Sequence, residues 1–211
     1  MITAKQFSCL SSVLTLLAMA VPIQVAKADV ITFSGLHAGN DAPFTAYTEG
    51  KFTVTPLTSN WYEDDTIYGN PAPSIYDGPI GGAGLATVQV TDHGDFTWQR
   101  LDYSSNNGPG TYDVEGLLGG VEQFNEVGGL AAVFGPFGFT TLTSADSTKV
   151  IDTLDITFIP VVGIPGPTTI NLDNIAATSV PEPGSLPLLT ASLAGLTFGL
   201  CRRSSKRSKT K

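Results

Sequence analysis

The sequence predicts an all-β fold, an antiparallel jelly-roll-like β-sandwich, and three observations carry that prediction. Between Val30 and Ile175 no sustained run places apolar residues at i, i+3, i+4 and i+7, the spacing of a helix with one buried stripe. Short β-rich or alternating segments recur instead between clusters of Gly, Pro, Asn and Asp, the residues that most readily turn a chain. In the clearest segment Leu154, Ile156 and Phe158 fall on one face while Asp155 and Thr157 fall on the other. That is the pattern of an antiparallel strand with one face in a core and one in water.

In chain order the expected strands are Val30 to Ser34, Phe44 to Tyr47, Lys51 to Pro56, Leu85 to Thr91, Asp95 to Leu101, Thr111 to Leu117, Phe137 to Leu142, Ile151 to Ile159 and Thr168 to Ala177. Phe52 with Val54, Phe96 with Trp98 and Phe137 with Phe139 repeat the two-residue spacing of the clearest strand. Asp92-His93-Gly94-Asp95 lies between two β-rich runs and reads as a hairpin turn, since Gly and Asp tolerate turn conformations. The stretch from Gly119 to Gly135, with Glu122, Phe124, Leu130 and Val133, admits either one short helix or an irregular strand crossing. Ser59 to Gly84 reads as an excursion outside the sheet. Pro71, Pro73 and Pro79 have no N–H for a ladder, and Gly69, Gly78, Gly81, Gly82 and Gly84 weaken regular structure.

Both ends of the chain carry addresses. Lys5, an apolar stretch from Val13 to Val25, and the small residues of Ala26-Lys27-Ala28 form a signal peptide over residues 1–28, to be cut by signal peptidase so that the mature chain starts at Asp29. At the other end, Pro181-Glu182-Pro183 precedes an apolar run from Leu186 to Leu200 and the cations Arg202, Arg203, Lys206, Arg207, Lys209 and Lys211. A run of about 15 residues spans roughly 22 Å as a helix, and snorkelling arginines with local thinning fit it to a ~30 Å hydrocarbon core. Cations beyond the run hold the tail on the cytoplasmic side and place the body outside.

The motif Val180, Pro181, Glu182, Pro183, the short span (186–201) and the basic tail (202–211) resemble, in that order, the PEP-CTERM sorting signal of exported bacterial proteins. The resemblance covers residues 179–211 and departs only in Pro187, which a helix start tolerates. It implies that a membrane-embedded exosortase recognises the signal and removes the tail, with the membrane holding the chain transiently. It further implies a product at the cell surface or in the extracellular matrix, with a structural or adhesive role in exopolysaccharide and biofilm.

Between these addresses, residues 29–178 are one domain. From Asp29 to Pro183 the only bases are Lys51, Arg100 and Lys149 against all 19 acids, a formal charge of −16. A field of that sign repels phosphates, so nucleic acid is excluded as a partner, and divalent cations or cationic matrix material are favoured. Cys9 and Cys201 both lie in the address segments, leaving no disulfide and no thiol catalysis in the body. With only His37 and His93, most zinc arrangements are excluded as well. There is no Gly-x-Ser-x-Gly, no His-Glu-x-x-His and no phosphate-binding loop, and among so many acids no pair stands out for glycoside hydrolysis. His93, beside Asp92 and Asp95, reads as a turn residue. The sequence therefore points away from an enzyme, with a polysaccharide-acting hydrolase the third reading after a structural or adhesive protein and a glycan-binding module.

Two candidate sites remain. Aromatic rings stack on sugar faces while carboxylates and amides bond ring hydroxyls, so Trp61, Tyr62, Asp64, Tyr68 and Tyr76 are candidates for glycan binding; the other reading is a lid folded back over one sheet. Calcium wants six to eight hard oxygen ligands, and Glu63-Asp64-Asp65, Asp41 with Glu49, and Asp173-Asn174 supply carboxylates. Asn171-Leu172-Asp173-Asn174-Ile175 resembles the final strand of carbohydrate-binding-like jelly rolls found with this sorting signal. That resemblance implies a structural calcium between Glu49 and Asp173, a solvated strand edge being the other reading.

Overall fold

The computed structural model describes residues 28–65, 68–78, 85–106, 108–132, 138–161 and 169–180. The expected signal peptide up to residue 27, the motif residues Pro181, Glu182 and Pro183, the span and the basic tail lie outside the described residues. Among the described residues there is no helix long and apolar enough to cross a membrane.

The described residues form twelve strands: β1 (Ala28–Ile31), β2 (Ala42–Pro43), β3 (Tyr47–Glu49), β4 (Phe52–Pro56), β5 (Trp61–Asp64), β6 (Ser74–Asp77), β7 (Ala86–Asn106), β8 (Gly110–Leu118), β9 (Val121–Leu130), β10 (Thr140–Thr143), β11 (Ile151–Pro160) and β12 (Thr169–Ser179). All the strand pairs are antiparallel. The all-β class expected from the alternation holds.

The long strand β7 organises the layers. Its first part pairs with β4 and β11, giving a sheet that runs β3-β4-β7-β11-β8-β9. Its second part pairs with β12 and β10, giving a sheet that runs β2-β5-β6-β12-β7-β10, with β1 alongside the end of β12. The two layers bury one core between them: Val54, Val88, Val90, Val114, Leu154, Ile156 and Phe158 from the first meet Trp61, Ile75, Leu101, Ile170 and Leu172 from the second. Trp61 of β5 lies 6.2 Å from Phe158 of β11, ring centroid to centroid, across that core.

The Asp92–Asp95 segment is therefore not a hairpin turn. Thr91 pairs with Thr153 and Phe96 with Ile151, so four residues of β7 bulge opposite one residue of β11. Here the Asp and Gly turn signals serve a bulge, which bends and twists a strand where it passes from one layer to the other. The stretch after Gly119 is a strand and not a helix. Gly119 and Gly120 take φ of 58° and 75°, the left-handed pair of a two-residue hairpin, and β9 returns antiparallel to β8.

The segment from Ser59 to Gly84 was expected to avoid the sheet, yet it contributes β5 and β6, paired from Trp61↔Asp77 to Asp64↔Ser74. Pro71 and Pro73 fall in the connection between them, where no ladder N–H is needed. The strand expected at Phe44 to Tyr47 is displaced to β3, and β1 ends at Ile31 before Phe33, whose φ is 56°.

Candidate functional site: the outer face of the β6–β12 layer

Alternation along β5 and β6 decides which side chains leave the core. Trp61 and Ile75 are buried on the inner face, so Tyr62 and Tyr76 stand on the outer face, directly opposite one another across the ladder. Their rings are 5.7 Å apart at an interplanar angle of 31°, and both are half-buried. Pro43 of β2 lies opposite Tyr62, and Asn171 of β12 lies opposite Tyr76. A row of Pro43, Tyr62, Tyr76, Asn171 and Ser104 thus crosses the layer at right angles to its strands.

Carboxylates flank the rings. The Tyr76 hydroxyl donates to Asp41 Oδ1, and Asp41 is exposed, with a φ of 64° in the turn just before β2. Burial first, then the bond to Asp41 and the fields of Asp41 and Asp64, hold the Tyr76 phenol well above the usual tyrosine range. It therefore stays a protonated donor at physiological pH.

Toward β7 the same face becomes a network of amides and acids. Asp102, buried, accepts from Thr141 Oγ1 at 2.6 Å, Asn174 Nδ2 at 3.0 Å, Asn70 Nδ2 at 3.2 Å and Arg100 Nη1 at 3.4 Å. Asn171 accepts from Asn106 Nδ2 at 2.8 Å and donates to Ser74 Oγ at 3.3 Å, and Ser74 Oγ donates in turn to the Tyr68 carbonyl at 2.9 Å. These bonds pin the β5–β6 connection onto the sheet. Asn174 has a φ of 47° and marks a register shift in β12 after Asp173; the shift lets Leu172 and Ile175, three residues apart, both reach the core.

The five residues proposed from sequence for glycan binding divide. Trp61 is 1% exposed and packs on Phe158, so it offers no ring face to solvent. The strand period that turns Trp61 inward is what turns Tyr62 outward. Tyr62 and Tyr76 come together, Asp64 lies beside them on the same face, and Tyr68 is held in the connection, its N–H directed at Asp64 Oδ1 at 3.4 Å. Asp41 and Asp102 were not assigned to this face from the sequence. The signal for Asp102 was present in the alternation Leu101, Asp102, Tyr103, Ser104, which puts polar groups on one side of β7.

The calcium pair fits less well. Glu49 Oε2 accepts from Thr32 N at 2.8 Å and Phe33 N at 3.1 Å, while its Oε1 accepts from Thr32 Oγ1 at 2.9 Å. Asp173 accepts from Asn70 N at 2.6 Å and Asn174 N at 2.7 Å, one on each oxygen. All four oxygens are already bonded by protein donors. Burial, outweighing those two N–H bonds and helped by the fields of Asp102 and Glu49, lifts Asp173 to about 7. Alternation sends Glu63 inward, where Oε2 takes the Ala38 N–H at 3.2 Å, away from Asp64. Among the described residues no group of three or more His, Cys, Asp or Glu is placed to hold a metal ion, and two such carboxylates fall short of calcium's ligand number.

No protein-family model matches the chain, and neither does any curated protein. Solved structures similar to it include the family 29 carbohydrate-binding module CBM29_1 from Piromyces equi, at 12% identity over 77% of this chain and 97% of that one, with a TM-score of 0.42. Another is the CBM22-1–GH10 portion of an endo-1,4-β-D-xylanase from Clostridium thermocellum complexed with xylohexaose, at 10% identity over 68% of this chain and 28% of that one, TM-score 0.40. A third is an isomalto-dextranase of Arthrobacter globiformis complexed with panose, at 14% identity over 72% of this chain and 32% of that one, TM-score 0.36. At TM-scores below 0.5 these likenesses carry no argument about what this chain binds.

Proposed function

We propose that this chain is an exported, non-catalytic protein of the cell surface or extracellular matrix whose β-sandwich binds polysaccharide on the Tyr62–Tyr76 face. The observation that supports this reading is the ring pair itself: two tyrosines on the outer face of a sheet, 5.7 Å apart, beside carboxylates and a row of amide and hydroxyl side chains. Apolar ring faces and fixed polar groups together are what a sugar ring requires of a site. The core closes beneath the two rings on Trp61 and Ile75.

The addresses at the two ends supply the setting. In this reading signal peptidase releases the chain at Asp29, the membrane span holds it, and an exosortase acting at Val180–Pro183 delivers it to the exopolysaccharide matrix. There the body serves adhesion or matrix structure.

Affinity electrophoresis of the purified chain through gels containing extracted matrix polysaccharide tests the binding. Retardation should be lost with Tyr62→Ala, by about tenfold in affinity, with the chain still folded. Retardation unchanged in Tyr62→Ala would remove this face as the site.

A further inference from the structure

The ligand class can be narrowed, on the footing of the glycan-binding reading just given, by asking what charge the ring pair tolerates. Three bases stand against 19 acids between Asp29 and Pro183, and none of the three lies on β2, β5 or β6. Arg100 is engaged by Asp102 at 3.4 Å. Lys51 sits in the turn between β3 and β4, and Lys149 in the connection from β10 to β11. A uronate, sulfate or phosphate group on a sugar at the rings would meet no counter-charge and would face Asp41 and Asp64, the two acids whose fields already reach Tyr76. Like charges so placed are repelled.

The same geometry favours the opposite sign. A cation over the face of a tyrosine is attracted by the ring quadrupole, and a phenol whose O–H is donated to a carboxylate, as Tyr76 to Asp41, has a more electron-rich ring. Asp41 is exposed at the rim of the pair, where an ammonium on a sugar stacked at Tyr76 would lie within reach of it. Two rings supply the stacking, and one carboxylate at their edge supplies the charge.

We propose that the Tyr62–Tyr76 face is selective for amine-bearing polysaccharide: hexosamine chains with free, protonated amino groups in preference to their acetylated or acidic counterparts. Chitosan hexamer and chitin hexamer, which share a backbone and differ in acetylation, are the probes. They would be titrated into the full purified chain at pH about 6, where the sugar amines are mostly protonated. The deacetylated hexamer should bind about tenfold tighter than the acetylated one at low salt, and the gap should close at about 0.5 M salt, where exposed charges are screened. Asp41→Asn should weaken the deacetylated hexamer about threefold, and Tyr62→Ala should weaken both hexamers.

Equal affinity for the two hexamers would overturn the selectivity and leave polysaccharide binding standing. A gap that persists undiminished in Tyr62→Ala would place the amines elsewhere on the acidic surface and overturn it too. Binding of neither hexamer overturns the selectivity. The gel experiment above, read alongside, then says whether polysaccharide binding falls with it.

Discussion

The outer faces of the two layers are built from the same strand period and differ in what that period exposes. On the β4–β7–β11–β8 layer the outward positions are Thr87 with Thr157, hydroxyls 2.9 Å apart, and Gln89 donating to Asp155 at 3.0 Å. Leu57 after β4, Leu85 before β7 and Val127 on β9 are exposed apolar side chains. The polar groups of this layer meet in cross-strand pairs. On the β5–β6–β12–β7 layer the outward groups are acids and amides joined through several partners each, and some are wholly buried: Asp173 and Ser74 are 0% exposed. An outward face with isolated cross-strand pairs is what any sheet needs to meet water. Buried carboxylates on an outward face cost free energy unless satisfied, so their presence marks where the chain is organised around more than solubility.

The largest effect expected of a single substitution separates the core from the face it supports. Trp61→Ala removes a buried indole packed on Phe158 and should cost about 3–5 kcal/mol, read as a lowered urea midpoint. Tyr62→Ala, one residue away, should cost well under half of that. If the two were equal, Tyr62 would be a core residue and the comparison of inner and outer faces at β5 would fail.

A second comparison comes from the acid dependence of stability. Burial pushes Asp77 to about 7 against the Ile170 N–H bond that favours its charge, and Asp173 to about 7 against the N–H bonds from Asn70 and Asn174. Both are acids whose folded value exceeds the unfolded one, so the fold favours the neutral form. Their contribution is complete below pH about 4 and is lost as pH rises through about 7, at up to about 4 kcal/mol per group. The chain should therefore unfold at a lower denaturant concentration at pH 8 than at pH 4.5. Asp77→Asn should flatten that slope, and a midpoint that rises with pH would contradict the burial of both groups. Asp173 belongs to the network on the outer face and Asp77 to the core, so the two single variants apportion the slope between regions.

How much of this was legible in the sequence depended on period. Ile151 to Ile159 and Lys51 to Pro56 alternate cleanly, and β11 and β4 lie where the alternation puts them. The bulge at Asp92–Asp95 was not legible, because Gly and Asp serve a turn and a bulge equally, and only the partner strands distinguish them. Nor were β5 and β6: four residues each, they owe their place to the pairing of β5 with β6 and of β6 with β12, and to the bonds from Asn70, Ser74 and Asn171. The site followed the same rule. Tyr62 and Tyr76 could be named as candidates, but that Trp61 turns inward while they turn outward requires knowing that this segment is a strand at all.

Between the two layers Gly116 tests how tightly the first face fits. A Cβ at this position would stand 2.2 Å from Phe124 Cε1, and the Phe124 ring is stacked on Trp98 at 6.2 Å and 15°, so it has little room to withdraw. Gly116→Ala should cost about 1–3 kcal/mol, seen as a lower melting temperature.

The smallest effect is expected from the plain outer face. Thr87→Val removes one hydroxyl from a pair that is only part-buried, and Val is at least as favourable in a strand. The change should lie within about 0.5 kcal/mol of zero. Asp102→Ala on the other layer removes the acceptor of four hydrogen bonds and leaves Asn70, Asn174 and Thr141 without it, which places it in the range of about 2–4 kcal/mol. Measured side by side by urea unfolding, a difference of that size means that the second face is held together by its polar groups. Equal costs would mean that water replaces Asp102 as readily as it replaces a surface threonine, and the contrast between the faces would be one of composition only.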